Sequence, residues 1–209
     1  MDEGRSSTRS RLIDVAERLF AERGIDAVSL RTVGAEAGQR NKSAAQYHFG
    51  SRQGLLDAIV AARSAPVDAH RTALLAQACE AADPPDLRSL VTLLVQPLAE
   101  SIGTGGGSAY YLRFLAQAAD EPSVRAAWRD TYATPTTVRA VHDGIRSRLA
   151  DLPHDVLERR LEWSALVTVR LLAEHERRHH AGETAPGERA RTVREVVEMQ
   201  VALLRCPAV

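Results

Sequence analysis

Cysteine, lysine and aromatic residues are all scarce in this chain of 209 residues. Its two cysteines, Cys79 and Cys206, are far apart and match no metal or redox spacing, so they read as free thiols of a reducing compartment. Aromatics make up 4% of the residues, and the β-branched residues form no alternating runs, which argues against a sheet. No apolar run approaches the roughly 18 residues that a membrane-spanning helix needs. The opening Met1-Asp2-Glu3-Gly4-Arg5 lacks the apolar core of a signal peptide, so a cytoplasmic location is expected. Net charge is zero, and any basic footprint must therefore be local.

Ala, Leu, Arg and Glu dominate, and 44% of the residues are hydrophobic, a composition that favours an all-α fold with a substantial core. Charge is unevenly spread. Between Ser29 and Leu56 the basic residues Arg31, Arg40, Lys42 and Arg52 face Glu36 alone, and Lys42 is the only lysine in the chain. That stretch is the natural candidate for a polyanion-facing surface.

The polar residues 1–10, with Arg5 and Arg9, read as a flexible basic arm. From Arg11, Leu12, Val15, Ala16, Leu19 and Phe20 recur at the spacing of one helix face, and Gly24 stops the helix. Ser29 is placed to cap a second short helix with Leu30, Val33 and Ala37 on its buried side. Asn41 opens a third, running to His48, and Ser51 caps a fourth containing Leu55, Leu56, Ile59 and Val60. Two short helices joined by a glycine-containing turn have the shape of a helix-turn-helix. The expected organisation is an arm over 1–10, a three-helix helix-turn-helix domain over 11–50, a connecting helix over 51–63, and a larger helical domain over 64–209.

In that larger domain, Pro66 is expected to start a helix reaching Ala82. Further helices are expected over Leu87–Ile102, Ala109–Asp120, Ser123–Leu149 with an interruption near Pro135, and from Pro153 to His180. A turn over 182–187 leads to a last helix bearing Val193, Val196, Val197 and Leu204. The glycines of 103–107 lack the Gly-Lys-Ser/Thr of a phosphate loop, and His175 with His179 reads as a solvated helix end rather than a metal pair. Neither a nucleophile–base pair nor a metal set stands out, so an enzyme is not expected and no cofactor is implied.

Three blocks carry a resemblance: Ala16-Glu17-Arg18-Leu19-Phe20-Ala21-Glu22-Arg23-Gly24, then Val28-Ser29-Leu30-Arg31-Thr32-Val33 with Ala37-Gly38, then Tyr47-His48-Phe49-Gly50-Ser51-Arg52-Gln53-Gly54-Leu55-Leu56. In this order they resemble the DNA-binding domain of the TetR family of bacterial transcriptional regulators. The turn Gln39-Arg40-Asn41 is one residue longer than the family's commonest spacing, and Tyr47 stands two residues before Phe49 rather than three.

The resemblance implies a regulator that binds an operator in double-stranded DNA as a homodimer and answers to a small-molecule effector. A repressor is the leading expectation; an activator, an effector-independent regulator or a helical interaction module are the alternatives. The third helix would enter the major groove with Asn41 at its start, Lys42, Ser43 and Gln46 offered to bases, and Arg40 either paired with guanine or holding a phosphate. Ser29, Thr32, Tyr47, His48 and Arg52 would meet phosphates. The middle helices would enclose a pocket whose candidate lining is Leu94, Tyr110, Phe114, Trp128, Tyr132 and Trp163, with Arg113 or Arg170 as an anionic anchor. Dimer contacts would come from the last two helices through Leu161, Val167, Leu171, Val193, Val197 and Leu204.

Overall fold

The computed structural model describes residues 3–39, 41, 43–80, 84–103, 109–122, 124–126 and 136–207, the side chains of 3–7 excepted. Among the described residues there is no strand. The principal helices are α1 (Glu3–Arg23), α2 (Leu30–Glu36), α3 (Ala44–Phe49), α4 (Arg52–Cys79), α5 (Leu87–Glu100), α6 (Tyr111–Ala118), α7 (Thr137–Arg148), α8 (His154–His180) and α9 (Glu188–Arg205).

The first four helices follow the periodicity of the sequence. Leu12, Ala16, Leu19 and Phe20 of α1 are fully buried against Val33 and Ala37 on the α2 side and Leu55, Leu56 and Ile59 of α4. Ser29 caps α2 by accepting from the Thr32 amide at 3.1 Å, and Ser51 caps α4 by accepting from Gly54 at 3.0 Å. These hydroxyls satisfy amides that a helix start leaves orphaned. At the α3–α4 joint Gly50 has φ +70°, and a Cβ on Gly54 would lie 2.2 Å from the Phe49 carbonyl oxygen. That joint closes only around glycine at position 54.

Three expectations are corrected. Residues 3–10, expected as part of a flexible arm, continue α1 toward the N-terminus. The third helix starts at Ala44 rather than Asn41. Its entry is instead an Asn turn, in which Asn41 Oδ1 accepts from the Ser43 amide at 2.9 Å and the Asn41 carbonyl from Ala44 at 3.0 Å. The connecting helix does not end near residue 63: α4 runs through Pro66 for 28 residues. Pro66 is exposed, so the Ala62 carbonyl it cannot serve is also on the outer side, where water can replace the lost donor.

The boundary expected between 63 and 64 thus falls inside a helix, and one hydrophobic core extends across it. Phe20 of α1 meets Phe114 of α6 with ring centroids 6.1 Å apart. Beside them Arg63 of α4 holds two carboxylates of α1, Glu17 at 2.6 Å and Asp14 at 2.5 Å, and Glu17 is wholly buried. Helix α6 takes its cap from another element: Glu176 of α8 accepts from the Leu112 and Arg113 amides at 3.1 and 2.9 Å. Burial pushes the Glu176 carboxyl up to about 7, against the opposing pull of those two hydrogen bonds. The segments around Trp128, Tyr132 and Pro135, and residues 104–108 of the glycine loop, lie outside the described residues.

Two buried polar side chains generate tests. Gln200 of α9 is buried with neither amide atom hydrogen-bonded. An unsatisfied buried amide costs about 1–3 kcal/mol, so the near-isosteric Gln200→Met is expected to raise stability by roughly that amount in urea unfolding at fixed protein concentration. His142 of α7 is pushed down to about 4, first by burial and then by the Arg146 guanidinium. The folded site therefore resists a proton that the unfolded chain accepts below about 6.5. Its contribution is complete above that pH and is lost as pH falls toward 4. Unfolding at pH 7 and pH 4.5 is expected to show His142→Leu losing a few kcal/mol less on acidification than wild type; equal losses would show that His142 does not carry this acid sensitivity.

Candidate nucleic-acid interface and the cavity behind it

Helices α2 and α3 pack on each other and on α1 and α4 through their apolar sides, which leaves a polar outer surface. On α3, Ala44 and Ala45 are the buried side, and Gln46 and Tyr47 face out. Tyr47 is 69% exposed, the most exposed of the large hydrophobic residues described. Its ring stands edge-on to His48 at 5.4 Å, and His48 neighbours Phe49, over which Arg9 of α1 lies at 5.4 Å. Ser29, Asn41 and Ser43 are exposed around the same surface, with Thr32 half-buried.

Small polar groups here already have local partners. The Ser29 and Thr32 hydroxyls share a hydrogen bond of 2.8 Å, and the Gln46 amide donates back to the Gly50 carbonyl. Arg52 pairs with Asp26 at 3.1 Å, both well exposed. An exposed pair contributes about 0–1 kcal/mol, so exchanging Asp26 for a phosphate costs little. Arg40 and Lys42 lie outside the described residues. Arg31, which the sequence offered only as part of a basic stretch, is exposed on α2 next to Thr32.

Behind this surface lies a cavity of about 200 Å³ between α4, α5, α6, α7 and α8. Of the eight pocket candidates read from the sequence, Leu94 lines it. Phe114 is enclosed in the core against Phe20. Arg113 sits beneath Tyr110, 4.6 Å from its ring, and Tyr110 reaches His180 at 3.0 Å. Trp163 is 49% exposed under Arg159, and Arg170 pairs with Asp120 at 3.0 Å on the surface. Trp128 and Tyr132 are outside the described residues.

The polar lining comes instead from Ser64, Asp68 and Arg71 of α4, His142 of α7, and Ser164 and Thr168 of α8. The signal was available as spacing: 60, 64, 67, 68 and 71 form one helix face, as do 161, 164, 165, 168 and 169. Breaking α4 at residue 63 hides the first of these.

The dimer candidates divide. Leu161, Val197 and Leu204 are buried within the chain, and Leu161 also lines the cavity. Leu171 and Val193 are half-buried, whereas Val167 is exposed together with Trp163 and with Met199 of α9. Among the described residues no group of three or more His, Cys, Asp or Glu could hold a metal, and no helix is long and apolar enough to cross a membrane.

Residues 12–59 match the family model "Bacterial regulatory proteins, tetR family", a span that runs from the second half of α1 through α2 and α3 into the start of α4. The crystal structure of the multidrug binding protein EbrR complexed with imidazole is 21% identical, covering 96% of this chain and 92% of that one, with a TM-score of 0.44. A protein described as a TetR-family transcriptional regulator from Rhodococcus sp. is 15% identical over 95% of this chain and 99% of its own, with a TM-score of 0.45. No curated protein matches. Over residues 12–59, within its N-terminal helices, the chain is similar to the bacterial regulatory proteins of the tetR family.

Proposed function

We propose that the protein is a homodimeric repressor that holds a palindromic operator through α3 and is released when a small molecule fills the cavity. What carries this assignment is α4. Its first turn packs beside α3, and Val60, Ser64, Val67, Asp68 and Arg71, one to five turns further on, form a wall of the cavity. A molecule that displaces that wall moves the support of the reading helix.

A six-residue helix spans about 9 Å and meets only a few base pairs, so two copies on one duplex are needed for useful discrimination. The exposed Trp163, Val167 and Met199 on α8 and α9 supply an apolar surface for that pairing. Ser43 and Gln46 are assigned to the groove, with Ser29, Thr32, Tyr47, His48, Arg31 and Arg52 to the backbone on either side. Release requires only that the effector bind the misfitting spacing of the two α3 helices more tightly, by about 2–4 kcal/mol, than the fitting one.

Fluorescence anisotropy with DNA flanking the gene, at graded salt, tests the assignment. Wild type is expected to saturate a discrete site with affinity falling as salt rises. Tyr47→Ala is expected to weaken that site at least tenfold, about 1.4 kcal/mol, with unchanged circular dichroism and thermal midpoint. A folded Tyr47→Ala that binds like wild type would remove α3 from the interface. Trp163→Glu is expected to yield monomers in sedimentation and to lose the operator with them; a dimer that survives this change would place the pairing surface elsewhere.

A further inference from the structure

The cavity's own chemistry restricts what can enter it. Its described lining contains four ionisable side chains: Asp68, Arg71, Tyr111 and His142. Asp68 and Arg71, one turn apart on α4, are paired with each other. The remaining reach of Arg71 is also engaged, because its Nε donates to the Leu93 carbonyl of α5 at 3.1 Å. That carbonyl is open because the residue four positions on is Pro97, which has no amide to give it. Arg71 is thereby held as a buried part of the wall rather than a group that reaches for a ligand.

The other two groups are uncharged. Burial raises the Tyr111 hydroxyl well above its usual range, helped by the nearby Asp68 carboxylate, so it remains a hydrogen-bond donor at neutral pH. His142 is neutral there for the reasons given above. What remains is an apolar wall, including Val67, Leu94, Leu98, Leu115 and Leu161, with the hydroxyls of Ser64, Ser164 and Thr168 set into it. An incoming ion would lose its hydration and find the Asp68 and Arg71 charges already paired, which disfavours its entry. An uncharged polar group meets no such cost. As for size, a cavity of about 150 Å³ holds benzene, so one of about 200 Å³ suits a substituted or fused ring.

We infer that the cavity takes an uncharged, mainly apolar molecule of substituted-ring size, anchored through a hydroxyl or carbonyl oxygen by the hydroxyl groups of α4 and α8. This rests on the proposal that the cavity is the effector site.

Three probes that share one skeleton test it by calorimetry on the full chain: 2-naphthalenemethanol, 2-naphthoate and 2-naphthylmethylammonium. The alcohol is expected to bind at least tenfold tighter than either ion. Asp68→Asn removes the carboxylate paired with Arg71 and is expected to invert that order in favour of 2-naphthoate. Ala165→Phe, which fills the cavity, is expected to abolish binding. If that variant does not fold, nuclear Overhauser contacts between the naphthyl protons and the Leu94 and Leu98 methyls locate the probe in the wild type. Preference of the wild type for an ion, absence of binding by all three, an Asp68→Asn variant that still prefers the alcohol, or contacts elsewhere would each overturn the inference while leaving effector release open. Binding of the alcohol with no change in operator affinity would do the reverse, keeping the ligand class and overturning release.

Discussion

The arrangement depends on a buried charge pair near the middle of α4. Arg63 reaches from α4 to Glu17, which α1 buries completely, and to Asp14 one turn before it. Removing the cation would leave Glu17 facing a large desolvation penalty, of order 3–5 kcal/mol when a buried pair is broken from one side. The pair lies where α4 leaves the helix-turn-helix and begins to line the cavity, with Phe20 and Phe114 in contact across the same junction. A linker at this point would let the two halves move independently. A continuous helix, pinned to α1 by a pair that resists partial opening, makes displacement of one half a displacement of the other. Under the proposed release, such coupling calls for two packings of this junction rather than gradual deformation.

Two prolines inside helices show how the same chemical defect has different consequences. Each removes an amide and orphans the carbonyl four residues earlier. At Pro66 the orphan is exposed, and solvent can satisfy it. At Pro97 the residue is buried, so the orphaned Leu93 carbonyl needs a donor from the protein. Arg71 supplies it, and Asp68 then balances Arg71. One imino acid in α5 is thus linked to a buried guanidinium and its carboxylate partner, both on the preceding helix α4, and to the charge-matched wall of the cavity between the two helices.

This chain of cause explains which parts were legible in the sequence. The helix-turn-helix was, because Leu12, Ala16, Leu19 and Phe20, the Gly24 stop and the Ser29 and Ser51 caps each act within a few residues of chain. The start of α3 was not, since Asn41 can either cap a helix or close a turn, and the residues around it chose the turn. Pro66 read as a helix start because its rule is statistical, and only its exposure shows why the helix tolerates it. The cavity lining was least accessible. Large aromatics such as Phe114 and Trp163 attracted the assignment, yet one is core and the other surface, while Arg71 is held in the cavity wall by a carbonyl of another helix, a contact that no local pattern encodes.

Helix α8 extends the same point to assembly. Leu157, Leu161, Val169 and Leu172 form the apolar stripe that its own chain buries. A second stripe, Trp163 and Val167, lies outside it at i, i+4 spacing, and Met199 on the packed neighbour α9 is likewise exposed. In sequence the two stripes merge into a single broad run, so Leu161 and Val167 appear equivalent although one faces the cavity and the other faces out. A helix with one covered stripe is complete as a monomer; one with two has an uncovered side that a symmetric copy can close with the same residues. Twofold pairing through that side would use none of the cavity-facing positions, so filling the cavity and closing the pair need not compete for the same side chains.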